Sequence, residues 1–191
     1  MRVRLVRPLA VTLALACAAL AAGPGTRAAP KPNPEKTRAN PPKVRTDQPP
    51  LSWGPLGRTT HLVIMEKQVF DLTNAERAKE QLPLLKPDLR LVKAARGHSA
   101  NMARQNKMDH VLDGKNPIDR LKAVGYPHAW MGENVAWGQR TPADALRMWM
   151  NSEPHKANIL DERFTELGVG IAFSENGYFY YTQVFGTPKR K

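Results

Sequence analysis

The C-terminal stretch, residues 167–185, constrains the fold most, because it predicts two strands that are apolar on both faces. "LGVGIAFS" and "YFYYTQVF" are rich in aliphatic and aromatic residues. Between them, Asn176 and Gly177 favour a type I′ hairpin turn. Successive side chains of a strand point to opposite faces, so each face of the second strand carries aromatic residues. Such a sheet must be covered on both sides, and a third strand is expected around Asn134 to Ala136.

Four helical segments supply the covering layers. Apolar residues at steps of three and four begin at Leu62, and a second helical pattern in "LRLVKAARGHSANMARQNKM" places His98 on its apolar stripe. Two shorter helices are expected after the pairs Asn116–Pro117 and Thr141–Pro142, which are typical of helix starts. The predicted fold class is α+β, a three-layer α/β/α sandwich with a small antiparallel sheet.

The N-terminal part of the chain does not resemble a folded domain. Residues 1–30 combine early arginines, a short apolar run and small residues, the pattern of a secretory signal peptide. Residues 31–60 form a basic, proline-rich segment that we expect to be a disordered linker. We therefore assign residues 61–188 to the domain and 189–191 to a basic tail. The only cysteine, Cys17, lies in the leader, so no disulfide is expected in the mature protein.

The net charge of +12 is concentrated outside the predicted domain. The leader carries +4, residues 30–60 carry +4 and the tail carries +3, which leaves +1 for residues 61–188. A nearly neutral domain argues against nucleic acid as a partner. The basic ends suit contact with an anionic envelope surface. We expect an extracytoplasmic location, in the periplasm or at the cell surface, with no transmembrane segment in the mature protein.

Four side chains outside the basic ends are candidates for chemistry: His98, His110, Glu133 and His155. No pair of them has the spacing of a zinc finger or of an H-E-x-x-H helix, so spacing alone does not join them. The position of His98 on an apolar stripe favours a core role with one satisfied ring nitrogen. The chain also has no G-x-S-x-G motif that would indicate a serine nucleophile.

An ordered set of motifs nevertheless links these residues. The run "LTNAERAK…HSANMA…H…GENVA…W…S..H..NIL…LGVGIA…YYTQVFG" over about residues 66–186 resembles the bacterial SCP-like branch of the CAP superfamily, named for cysteine-rich secretory proteins, antigen 5 and pathogenesis-related proteins. The resemblance implies an α/β/α sandwich whose central cavity gathers His110, Glu133 and His155. It also implies supporting roles for Asn134, Ser152 and Asn158. Animal relatives have a second cavity glutamate where this chain has Ser152, and the neighbouring Glu153 is expected at an exposed rim.

Two imidazoles and one carboxylate suit Zn²⁺ or another divalent cation with one position open. The same three groups without metal would form a self-satisfied polar network. Three functions remain open on this basis. The favoured one is a secreted binding or interaction module for an extracellular ligand or protein. The alternatives are a metal-dependent hydrolase at the cell envelope, with Glu133 as its catalytic residue, and a non-enzymatic structural protein. An enzyme is the less favoured interpretation.

Overall fold

The computed structural model describes residues 55–189, which form a small sheet between two helical layers. The helices are α1 (Pro55–Lys79), α2 (Leu89–Gln105), α3 (Pro117–Ala123), α4 (Pro142–Met150) and α5 (Glu153–Leu160). The strands are β1 (Lys86–Pro87), β2 (His128–Trp137), β3 (Glu166–Phe173) and β4 (Phe179–Pro188). The predicted mixed sandwich with a small sheet is confirmed.

The sheet has the order β1-β3-β4-β2. Strands β2 and β3 both pair antiparallel with β4, which is the central long strand. The two-residue β1 pairs parallel with β3, an addition that the sequence did not predict. The third strand is longer than expected, because β2 extends from His128 to Trp137 around the predicted core at Asn134 to Ala136.

Helix α2 lies on one face of the sheet and approaches it very closely. A Cβ atom added at Gly168 would lie 2.1 Å from the carbonyl carbon of Leu91, and one at Gly170 would lie 2.2 Å from the backbone nitrogen of Arg96. Glycine at these two positions therefore allows the helix backbone to rest on β3. The predicted stripe of α2 is buried here, with His98 1% exposed.

Helices α1, α4 and α5 cover the opposite face. Met65 and Val69 of α1, Trp149 of α4 and Ile159 of α5 belong to one buried cluster with the aromatic residues of β4 on that face. The indole of Trp149 is fully buried and donates from Nε1 to the carbonyl of Val135, at 3.0 Å. This bond joins α4 to β2, the strand that carries Glu133.

Two details of the sequence interpretation need correction. The hairpin turn is not type I′, because Gly177 has a positive φ (84°) and Asn176 does not. The amide of Gly177 instead donates to Ser174, the pattern of a longer loop that ends in a left-handed glycine. In addition, α1 begins at Pro55, so residues 55–60, which we assigned to the linker, are helical. The predicted leader, most of the linker and residues 190–191 lie outside the described residues.

Candidate functional site

Glu133 lies at the centre of the predicted site. It is on β2, on the sheet face that α2 covers, and its side chain is 3% exposed. Its Oε1 accepts a hydrogen bond from His110 Nδ1 at 2.8 Å, and its Oε2 accepts one from Arg120 Nη2 at 2.6 Å. Each oxygen of the carboxylate therefore has a donor, which compensates for its burial.

Arg120 is a member of this site that the sequence interpretation missed. Besides binding Glu133, its Nη1 donates to the carbonyls of His110 and Lys115, both at 3.0 Å. Its side chain is 12% exposed, and its Nε is buried without a partner in the described part of the chain. Arg120 thus fixes the loop of His110 to Glu133. No local sequence pattern indicates the role of Arg120 in the site, because α3 is brought to β2 by tertiary packing alone.

His98 lies beneath Glu133, with its Nε2 3.8 Å from Oε1. The same Nε2 is 2.9 Å from the carbonyl of Asp109, which can only accept, so Nε2 carries the proton. Nδ1 is then an acceptor, buried without a partner among residues 55–189. Burial lowers the pKa of His98, the nearby charges of Arg120 and His110 lower it further, and Glu133 opposes them. His98 is a neutral core residue in contact with the site, with one ring nitrogen satisfied as expected.

His155 lies in the first turn of α5. Its Nδ1 is 2.8 Å from the hydroxyl oxygen of Ser152. Ser152 occupies the N-cap position, but its hydroxyl contacts this ring and makes no capping bond to the helix backbone. Burial lowers the pKa of His155, and the charge of His110 lowers it further.

Asn134 and Asn158 connect the two sides of the site. Asn134 Nδ2 donates to the carbonyl of His155 at 3.1 Å. Asn158 Nδ2 donates to the carbonyl of Glu133 at 3.2 Å and to Asn134 Oδ1 at 2.9 Å. Both asparagines, for which the resemblance implies a supporting role, thus join strand β2 to helix α5.

The structure brings the predicted site residues together unequally. His110 and Glu133 are in direct contact, whereas His155 contacts Ser152, and no hydrogen bond joins it to Glu133. Glu153 is exposed. Within the described residues, no three His, Cys, Asp or Glu side chains are arranged to hold a metal ion. Glu133 therefore acts on His110 as an orienting group in this conformation.

Comparison with known proteins shows the family to which the chain belongs. Residues 70–185, more than half of the chain, match the cysteine-rich secretory protein family, CAP. The chain belongs to the CAP family. Within the family it is similar to the YkwD protein of Bacillus subtilis (strain 168), with 43% identity over 122 residues, which cover 63% of this chain and 47% of YkwD. The membrane protein YlbC of the same organism is 36% identical over 121 residues, 63% of this chain and 34% of YlbC. The CAP chain thus spans less than half the length of either relative.

Solved structures support the bacterial SCP type of CAP domain. An extracellular protein with an SCP domain from Bacillus anthracis superposes with a TM-score of 0.65 and 35% identity, over 72% of this chain and 44% of that one. An outer surface protein of Borrelia burgdorferi superposes with a TM-score of 0.61 over 64% of this chain and 92% of that one. Its identity of 21% shows the shared fold alone. Among the described residues of the CAP chain, no helix has the length and apolar character of a membrane span.

Of the residues predicted to line the cavity of this CAP domain, His110 and His155 each have one open ring nitrogen, the Nε2 atom. Neither has a hydrogen-bond partner within residues 55–189, whereas each Nδ1 is held by an oxygen. Because the carboxylate of Glu133 can only accept, His110 carries a proton on Nδ1, and the lone pair of its neutral form is on Nε2. The hydroxyl of Ser152 can accept from Nδ1 of His155 and leave the second ring in the same state. At metal sites, the ring nitrogen of a ligating imidazole that does not bind the metal commonly donates a hydrogen bond to an oxygen such as that of a carboxylate.

Proposed function

We propose that this CAP domain is an exported binding or interaction module whose pocket takes a divalent cation or a small ligand between His110 and His155. The observation that carries the proposal is the state of the two rings. Each Nδ1 is hydrogen-bonded to an oxygen, and each Nε2 has no partner among residues 55–189. The basic ends of the chain would hold the module near an anionic envelope surface.

The donor set suits a cation that accepts imidazole nitrogen and exchanges its other ligands. Zn²⁺ binds neutral imidazole, and water or atoms of a ligand can complete its shell. The lowered pKa of His155 keeps that ring neutral near pH 7, which favours ligation. Glu133 would orient His110 through Nδ1 and stay bound to Arg120. An ion bound by two protein ligands keeps other coordination positions open, and a partner molecule can bind the ion through them.

Isothermal titration with Zn²⁺ tests this proposal. The purified chain should give a one-site isotherm, and the double variant His110→Ala, His155→Ala should give no heat beyond dilution. His128→Ala is the matched control, because His128 lies at the start of the same strand as Glu133 and should leave the isotherm unchanged. Equal heats for the double variant and the wild type would refute the proposal.

The pH dependence of binding provides a second test. Protonated imidazole cannot ligate, so zinc affinity should fall as the pH is lowered below about 6.5, the ordinary pKa of histidine. An affinity that is constant between pH 7.5 and pH 5 would place zinc on groups other than imidazole.

The hydrolase interpretation receives no support from the geometry. A general base needs a lone pair available to the attacking water. The side chain of Glu133 is 3% exposed and binds Arg120 and His110, so an attacking water has little access to its remaining lone pairs. The purely structural interpretation shares the Glu133–Arg120 contact with our proposal, but it predicts that removal of both histidines changes no affinity for zinc.

A further inference from the structure

A chain of buried amides crosses the sheet sandwich and ends on the two sides of the site. It runs from Thr73 of α1 through Gln183 of β4 to Asn134 and then Asn158. Thr73, Gln183 and Asn134 are 0% exposed. Gln183 is the polar exception on a strand face that otherwise carries aromatic residues, and neither the fold nor the proposed function accounts for it.

The direction of every hydrogen bond in this chain follows from its first member. The carbonyl of Val69 can only accept, so the hydroxyl of Thr73 donates its single hydrogen to it, at 2.7 Å. The Thr73 oxygen must then accept from Gln183, whose Nε2 lies 2.7 Å away. This forces Gln183 Oε1 toward Asn134.

The remaining two amides are oriented in turn. Asn134 Nδ2 must face Gln183 Oε1, at 3.1 Å, and its second hydrogen reaches the carbonyl of His155. Asn134 Oδ1 is left facing Asn158 Nδ2, whose second hydrogen reaches the carbonyl of Glu133. Both terminal carbonyls are acceptors, so both amide hydrogens of Asn134 and both of Asn158 have partners.

We propose that Thr73 and Gln183 are positioning residues, which fix the spacing between His155 and Glu133 through the orientation of Asn134 and Asn158. This inference rests on the proposed ligand site for its zinc readout. An inverted or broken amide would present oxygen to one of the terminal carbonyls. That repulsion would move α5, which carries His155, away from β2, which carries Glu133.

The test is Thr73→Val, which keeps the shape of the side chain and removes the hydroxyl. Loss of a group that orients a ligand commonly weakens metal binding, so we expect the zinc dissociation constant to rise about tenfold. Thr73→Ser restores the hydroxyl and should stay within about twofold of the wild type.

Thr182→Val is the matched control. Thr182 is also 0% exposed, but its hydroxyl bonds Ser99 on the α2 face and does not contact the amide chain. It should lower the melting temperature as Thr73→Val does, and leave the zinc dissociation constant within about twofold. If Thr73→Val fails to fold, Thr73→Cys supplies a weaker partner and should give a smaller change of the same sign.

A readout without metal separates this inference from the proposed function. In NMR spectra of the histidine rings, Thr73→Val should move the His155 resonances and Thr182→Val should not. If the wild type binds no zinc, the proposed function fails, and the His155 resonances alone decide the inference. Equal effects of the two valine variants, on zinc affinity or on His155, would overturn it.

Discussion

Replacement of Glu133 by alanine should destabilise the domain strongly, because this carboxylate compensates a buried cation. Its side chain is 3% exposed, and that of Arg120 is 12% exposed. Removal of the carboxylate leaves Arg120 Nη2 without its 2.6 Å partner, in addition to the Nε that has no partner within residues 55–189. Breaking a buried ion pair by removing one member costs about 3–5 kcal/mol. Because Arg120 retains some solvent and two carbonyl contacts, we expect the lower end, about 3 kcal/mol.

For a domain of this size, such a loss corresponds to a melting temperature lower by about 10 °C. Differential scanning calorimetry at pH 7.5 measures it directly. Asp71→Ala is the control, because it breaks the exposed Lys67–Asp71 pair on α1, with side chains 75% and 54% exposed. That change should cost less than about 1 kcal/mol. If Glu133→Ala lowered the melting temperature no more than Asp71→Ala, the argument that Glu133 compensates Arg120 would be wrong.

Three further predictions concern packing, pH and a second buried cation. Gly170→Ala puts a Cβ 2.2 Å from the backbone nitrogen of Arg96 and should cost about 3 kcal/mol or more in denaturant unfolding. Gly97 is on α2 beside Arg96, and a Cβ added there meets nothing within 4 Å. Gly97→Ala should therefore stabilise by about 0.5–1 kcal/mol, and a change in stability of the same sign for both variants would contradict this account. The folded-state pKa of His98 lies below 6.5, so the unfolded state binds the proton better. The free energy of unfolding should therefore be highest above pH 6.5 and decrease as the pH falls, and the decrease should be weaker in His98→Gln. If the free energy of unfolding fell equally steeply with pH in both proteins, His98 would be excluded as a cause. Arg77 is 0% exposed and donates to the carbonyls of four residues, so Arg77→Lys should cost about 3 kcal/mol, and a urea midpoint equal to that of wild type would refute this.

The parts of the fold that depend on periodicity could be predicted from the sequence. The apolar stripe of α2 and the two-sided apolar strand β4 determine which faces must be buried, and the structure buries both. Strand β1 could not be predicted, because two residues, one of them proline, carry no strand signal. The turn type failed because the Asn–Gly pair permits several hairpin loops, and here Gly177 is left-handed and Asn176 is not.

The candidate site was predictable only in part. The resemblance to a known family joined His110 and Glu133, which are in contact, whereas residue spacing alone could not join them. Arg120 was missed because its partner lies on an element brought near by tertiary packing. Gln183 did have a signal, since a polar side chain within an apolar strand face requires buried partners.

The ring nitrogens of His110 and His155 provide the most direct test of the central claim. Long-range ¹H–¹⁵N NMR spectra should be recorded while Zn²⁺ is added to the purified chain at pH 7.5. The account predicts that the Nε2 resonances of both rings move together and saturate at one equivalent, while each Nδ1 keeps its proton. Movement of only one of these rings, or of another histidine such as His128 in their place, would contradict the claim that His110 and His155 share one ligand.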